Sequence, residues 1–193
     1  MAVCKAWSQV LEPILWTDLR LEDHHDRLLS DSSMKAALIR NQPYIRSIKF
    51  PASQVSLLHQ LIGGSITNPS TRCTGLRRLE FENISPPKSK GVNTFRGFRA
   101  PRFWHYSENI LDFFSVGLAT LLDFNDRLTY LKLPRELFGT KAALAAISKL
   151  ENLQHLTIAS PVACHDDQPI SLLLQACLPL PNLTELHFDF DMT

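Results

Sequence analysis

Leu153-Gln154-His155-Leu156-Thr157-Ile158 and Leu183-Thr184-Glu185-Leu186-His187-Phe188 spell one phrase twice: an apolar residue, two variable residues, an apolar, one variable, an apolar. Four further copies precede them, at Trp16/Leu19/Leu21, Ile45/Ile48/Phe50, Leu76/Leu79/Phe81 and Leu128/Leu131/Leu133. Subtracting the first positions 16, 45, 76, 128, 153 and 183 in turn gives intervals of 29, 31, 52, 25 and 30 residues, so four intervals are near one unit and one is near two. A recurrence of this length is the mark of an array of like units, each too small to bury its own apolar stripe. Polar turns, Thr74-Gly75, Asn125-Asp126-Arg127, Glu151-Asn152 and Pro181-Asn182, run directly into the later phrases, and a continuous amphipathic helix would avoid them. Each phrase is therefore expected to be a short strand.

Between the phrases, apolar residues return at helical spacing. Met34, Leu38 and Ile39 form one such set, and Val55, Leu58, Leu61 and Ile62 another. Ile110, Phe113, Phe114, Leu118, Leu121 and Leu122 follow, then Ala143, Leu144 and Ile147, then Leu172, Leu173 and Ala176. Ser30, Asp31 or Ser32 is placed to cap the first of these helices and Ser53 the second. Strands joined through helical crossovers run parallel, because an antiparallel pair needs only a tight turn. The expected fold is α/β, a leucine-rich repeat solenoid with parallel strands on the concave face and helices on the convex face. Its boundaries are 1–15 for a short N-terminal helix and cap and 16–193 for the repeats, with an irregular insertion or degenerate repeat at about 84–106. The Asn or Cys that such repeats carry three residues beyond the last apolar position is missing from register, where Ile84, Glu136, Pro161 and Asp191 stand, although Asn83 lies one position early.

The segment Val3-Cys4-Lys5-Ala6-Trp7-Ser8-Gln9-Val10, followed by Glu12-Pro13-Ile14-Leu15-Trp16, resembles the closing part of an F-box as found in fungal F-box proteins with leucine-rich repeats. The resemblance implies docking on the Skp-type adaptor of a cullin-based ubiquitin ligase, with Val3, Cys4 and Trp7 facing the adaptor and the repeats holding a protein substrate. The family's docking surface also uses helices and a Leu-Pro turn upstream of this helix, and the sequence starts at Met1 with the helix under way. A remnant of the docking fold is expected, in a fragment or in a relative that kept only the repeats. Trp7, Val10 and Leu11 are expected to cover the first strand, while the stop soon after Phe188 reads as a fragment or as an end used for self-association.

In the strands the variable positions point away from the core, because successive side chains alternate sides. They are the candidate partner-binding residues: Arg20, Arg46, Lys49, Arg77 and Arg78 early, Tyr130 and Lys132 in the middle, and Gln154, His155, Thr157, Glu185, His187 and Asp189 late. The order suggests a basic end grading into an acidic one. The whole chain has 20 Lys plus Arg against 19 Asp plus Glu, so no net field steers it toward nucleic acid or an anionic membrane. A local basic stretch, Lys88, Lys90, Arg96, Arg99 and Arg102 among Phe95, Phe98, Phe103 and Trp104, carries the alternative of single-stranded nucleic-acid binding, against the plainer reading of a loop between repeats. A repeat scaffold unconnected to ubiquitin is the other alternative.

Sequence-readable enzyme chemistry is absent: there is no Gly-rich phosphate loop, no G-x-S-x-G and no H-E-x-x-H. No cofactor is expected. His24-His25-Asp26 and Cys164-His165-Asp166-Asp167 contain metal-ligating types, but neighbours in sequence rarely converge on one ion, so both read as solvated loops. The scattered Cys4, Cys73, Cys164 and Cys177 form no C-x-x-C pair, and no secretory h-region or membrane span is evident, which suggests a cytoplasmic or nuclear setting. Sequons at Asn83 and Asn182 carry little weight without an export signal.

Overall fold

The computed structural model describes residues 3–20, 32–51, 73–82, 108–134, 141–160 and 168–190. In chain order the elements are α1 (Val3–Leu15), β1 (Asp18–Arg20), α2 (Ser32–Asn41), a 3-10 turn (Gln42–Tyr44), β2 (Ser47–Pro51), β3 (Arg78–Glu82), α3 (Glu108–Asp123), β4 (Tyr130–Pro134), α4 (Lys141–Ile147), β5 (His155–Ser160), α5 (Gln168–Cys177) and β6 (Glu185–Phe190). The six strands form one sheet in sequence order, every neighbouring pair parallel. The expected helices around Leu38, Leu118, Ile147 and Leu173 are present. The one expected around Leu58, the insertion at about 84–106 and the two metal-like clusters lie outside the described residues.

Each phrase supplies one strand to the sheet, and its middle apolar position stacks in register. Leu19, Ile48, Leu79, Leu131, Leu156 and Leu186 form one row across all six strands. The middle copies are fully buried: Ile45, Ile48, Phe50, Leu76, Leu79, Phe81, Leu128, Leu131, Leu133, Leu153 and Leu156 are all at 0% exposure. Phe50 and Phe81 stack with ring centroids 5.5 Å apart. Leu38 of α2, Leu118, Leu121 and Leu122 of α3, Ala143, Ala146 and Ile147 of α4, and Leu173 and Cys177 of α5 belong to the same buried cluster. The helices thus take one side of the sheet, and the variable positions are left on the other. At the two ends the burial weakens, with Trp16 and Leu19, and then Leu183, Leu186 and Phe188, only partly covered.

A further buried position lies three residues before each of the last five phrases. Gln42, Cys73, Asn125, Leu150 and Leu180 all occupy it, the last the least buried at 7% exposure. The chain turns back there. Ile45 N–H donates to the Gln42 carbonyl, Leu128 N–H to Asn125 and Leu153 N–H to Leu150, closing the bend that launches the strand. Asn125 adds side-chain bonds: its Nδ2 donates to the Leu121 carbonyl at 2.7 Å, and its Oδ1 accepts from Leu76 N–H at 2.9 Å. Asn152 Nδ2 donates to the Asp126 carbonyl at 2.8 Å and Asn182 Nδ2 to the Glu151 carbonyl at 2.7 Å, so each ties its own turn to the turn one unit earlier.

The strand starts are joined by a repeated clamp. The residue after the first apolar position offers a carbonyl that accepts two successive N–H groups from the next unit. Thr17 accepts from Arg46 and Ser47, Arg46 from Arg77 and Arg78, Arg77 from Thr129 and Tyr130, Thr129 from Gln154 and His155, and Gln154 from Thr184 and Glu185. Two of these carbonyls take a third bond, from Thr129 Oγ1 to Arg77 at 3.1 Å and from Thr184 Oγ1 to Gln154 at 3.0 Å.

The N-terminal helix does not cover β1 in the expected way. Trp7 is 59% exposed, Val10 62% and Leu11 41%. Glu12 instead anchors α1 to the end of α2, its Oε1 2.7 Å from Arg40 Nη2 and 3.3 Å from Asn41 Nδ2. Thr17 Oγ1 donates to the Pro13 carbonyl at 2.9 Å where the helix gives way to β1. This polar anchoring holds the helix end, while Trp7, Val10 and Leu11 remain open.

Gly75 sits where the Arg46 guanidinium crosses toward the Pro43 and Ile45 carbonyls, which Nη1 reaches at 2.9 and 3.3 Å. A Cβ at this position would collide with that guanidinium. Gly75→Ala is therefore expected to lower stability by about 1 kcal/mol or less, because the guanidinium is the tip of a flexible side chain that can swing aside at the loss of its carbonyl bonds. In an Arg46→Ala background the same change should cost little. Urea unfolding of the four-protein cycle checks this, and strictly additive costs would refute the coupling.

Candidate functional site

Polar side chains form two rows on the face opposite the helices. The first is Asp18, Ser47, Arg78, Tyr130, His155 and Glu185; the second is Arg20, Lys49, Glu80, Lys132, Thr157 and His187. Parallel strands about 4.8 Å apart bring such neighbours within reach of one another. Contacts connect most of them. Glu80 takes Arg78 Nη2 at 3.0 Å on one oxygen and Lys49 Nζ at 3.8 Å on the other. The Arg78 guanidinium carbon lies 4.0 Å from the centroid of the Tyr130 ring, and that ring tilts against His155 with centroids 6.2 Å apart. Lys132 Nζ reaches across β5 to Asp189 Oδ2 at 3.0 Å.

At the β6 end, one carboxylate oxygen serves two rings. Glu185 Oε2 is 3.0 Å from His155 Nδ1 and 3.2 Å from His187 Nε2. Hydrogen bonds from His155 and then His187 hold the Glu185 carboxyl below its usual range, with a Coulomb contribution from His155 next. It is an ionised acceptor across ordinary pH.

The candidate residues divide on this face. Lys49, Arg78, Tyr130, Lys132, His155, Glu185 and His187 stand in the two contacting rows. Arg20 is at the β1 edge, exposed and paired with Asp18 of its own strand at 3.2 Å. Arg46 and Arg77 precede β2 and β3; Arg46 folds back over the turn and Arg77 is exposed. Both serve the clamp through their carbonyls, so they do not join the rows. Val3, Cys4 and Trp7 lie on α1, where the Trp7 side chain is exposed. The basic stretch from Lys88 to Trp104 is outside the described residues.

Glu80 was missed in the sequence, although it occupies the same phrase position as Lys49, Lys132, Thr157 and His187. Aligning the six phrases by position would have found it. It interrupts the early basic run, pairing with Arg78 at 3.0 Å and lying 3.8 Å from Lys49.

Cys73 and Cys177 are buried thiols, pushed up to about 12 and about 11 by burial, with Arg46 partly offsetting the rise at Cys73. Neither is a thiolate near neutral pH. Among the described residues no group of His, Cys, Asp and Glu has metal-holding geometry, and no helix is long and apolar enough to cross a membrane. In comparisons with known proteins, no family model matches the chain, and neither a curated protein nor a solved structure is significantly similar to it.

Proposed function

We propose that the chain is a protein-recognition module built as a leucine-rich repeat solenoid, holding its partner on the two polar rows of the sheet. The observation that carries this reading is the division of the sheet: buried helix residues join the core on one side, and a band of Arg, Tyr, Lys, His and carboxylate side chains occupies the other. Tyr and Arg dominate many protein interfaces, since each offers large contact area with a polar handle. Arg78 stacked on Tyr130 is such an anchor, placed near the middle of the sheet.

The partner in this reading is a substrate presented for ubiquitin attachment, and the chain acts as the substrate-recognition subunit of a cullin-type ligase. The F-box resemblance of the first residues supports this, together with the exposed Trp7, Val10, Leu11, Ile14 and Leu15 of α1, which fit an adaptor-docking helix. A cytoplasmic or nuclear setting accords with the buried free thiols Cys73 and Cys177.

A photo-crosslinking residue placed at Tyr130 tests the face, with one at Lys149 on the loop after α4 as the control. Capture from Tyr130 and not from Lys149 is expected, and the captured protein should bind at least about tenfold more weakly to an Arg78→Ala, Tyr130→Ala double variant. Equal capture from both positions would refute the assignment. Co-purification of a Skp-type adaptor, reduced by Trp7→Ala, is the expected result for the ligase role. A folded chain that takes partners through Tyr130 but never retains the adaptor would leave a scaffold unconnected to ubiquitin.

A further inference from the structure

We propose that β6 is a self-association edge, and that two copies of the chain join there, β6 against β6, antiparallel about a two-fold axis, so that one sheet runs through both. The joint is made by the outer backbone of the strand and is independent of what the polar face binds.

The strand order makes β1 and β6 the outer strands of the sheet. They are guarded very differently. An outer strand offers a row of N–H and carbonyl groups that templates another strand, and natural sheets blunt it by shortness or with Pro and Lys. β1 has only three residues. β6 has six, Glu185-Leu186-His187-Phe188-Asp189-Phe190, with neither Pro nor Lys among them. Its inward row is also incompletely covered. Leu183, Leu186 and Phe188 are only partly buried, whereas Leu128, Leu131 and Leu133 at the matching positions around β4 are at 0% exposure. Among the described residues nothing pairs with the outer side of β6.

Ladder parity fixes which groups would meet. Glu185 N–H donates to the Gln154 carbonyl, toward β5, and successive residues of a parallel strand turn their backbone groups to opposite sides. Leu186 therefore directs its N–H and its carbonyl outward. In an antiparallel pair centred on this residue, each Leu186 exchanges both bonds with Leu186 of the second copy. The adjoining pairs set Glu185 opposite His187 of the second copy, twice by symmetry, and their side chains approach closely because these pairs lie between the bonded ones. Asp189 falls opposite Leu183, so no carboxylate faces another. Extending the array onto β1 of a second copy would be worse on the same grounds. Asp18 shares a row with Glu185 and Arg20 shares one with His187, so that joint would bring two carboxylates side by side.

Sedimentation equilibrium of the full chain, from micromolar concentration upward, should show monomer and dimer with nothing larger, since a two-fold contact closes on itself. Hydrogen exchange should slow at the Leu186 amide by at least about tenfold between the dilute and the dimeric chain. His187→Glu sets carboxylate against carboxylate at two places and should weaken dimerisation at least about tenfold, with circular dichroism reporting that the fold persists. Glu185→Lys should weaken it as well, and the two substitutions together, which restore an opposed pair, should recover it. Should a variant fail to fold, the Leu186 exchange in the unaltered chain decides alone. A chain that stays monomeric, oligomers that keep growing with concentration, a dimer that does not slow the Leu186 amide, or a dimer indifferent to both folded single variants would each overturn the proposal. Any of these results leaves the proposed function standing.

Discussion

Phe81→Ala is expected to lower the free energy of unfolding by about 3 to 5 kcal/mol, the usual cost of deleting a fully buried aromatic ring. Phe81 is at 0% exposure on β3, and its ring stacks on Phe50 of β2 at 5.5 Å. Truncation removes the transfer energy of the ring, leaves a cavity between two strands, and strips Phe50 of its neighbour. The damage is not confined to one unit, because the rows of the sheet share a single buried cluster. Urea unfolding followed by circular dichroism measures the loss. Leu178→Ala, at a position 83% exposed, serves as the control and should change stability by less than about 0.5 kcal/mol. A Phe81→Ala protein as stable as the parent would mean that the phrase residues do not form the core.

Asn125→Leu comes next, with an expected loss of about 2 to 5 kcal/mol although the substitution adds apolar character to a buried site. Asn125 is at 0% exposure, where its amide satisfies the Leu121 carbonyl and its carbonyl satisfies the Leu76 N–H. Leucine of similar size leaves both backbone groups without these bonds, and each orphaned buried group costs about 1 to 3 kcal/mol. Asn152→Ala and Asn182→Ala break one exposed bond each and should cost about 1 kcal/mol or less. Thermal and urea unfolding of the three variants must show this ordering. A stabilised Asn125→Leu protein would show that position 125 wants only apolar bulk, as Leu150 and Leu180 supply in later units.

That comparison shows where the sequence was legible. Phrase positions such as Leu79, Leu131 and Leu156 announce themselves because an apolar side chain recurs there in every copy, at 0% exposure in these strands, and the parallel order follows from the crossover lengths. The position three residues earlier hides because Gln42, Cys73, Asn125, Leu150 and Leu180 solve one burial problem with different chemistry, so no single residue type repeats. Trp7, Val10 and Leu11 misled for the opposite reason. Their apolar spacing is clear, but the surface a helix turns inward is set here by Glu12 contacting Arg40 and Asn41, residues distant in the chain. On the candidate face the residues could be found by position, whereas their partners could not. Lys132 reaching past β5 to Asp189, and one Glu185 oxygen shared by two rings, depend on side-chain reach and register together.

The carbonyl clamp at the strand starts bears on how such a chain tolerates change. Arg77 receives Thr129 and Tyr130 across the longest interval just as Thr129 receives Gln154 and His155 across the shortest. Alignment is thus read at a local docking point and not from the contour of the intervening polypeptide. Insertions or deletions between units should leave strand register untouched, which frees the connecting segments to diversify while the array itself keeps its pitch.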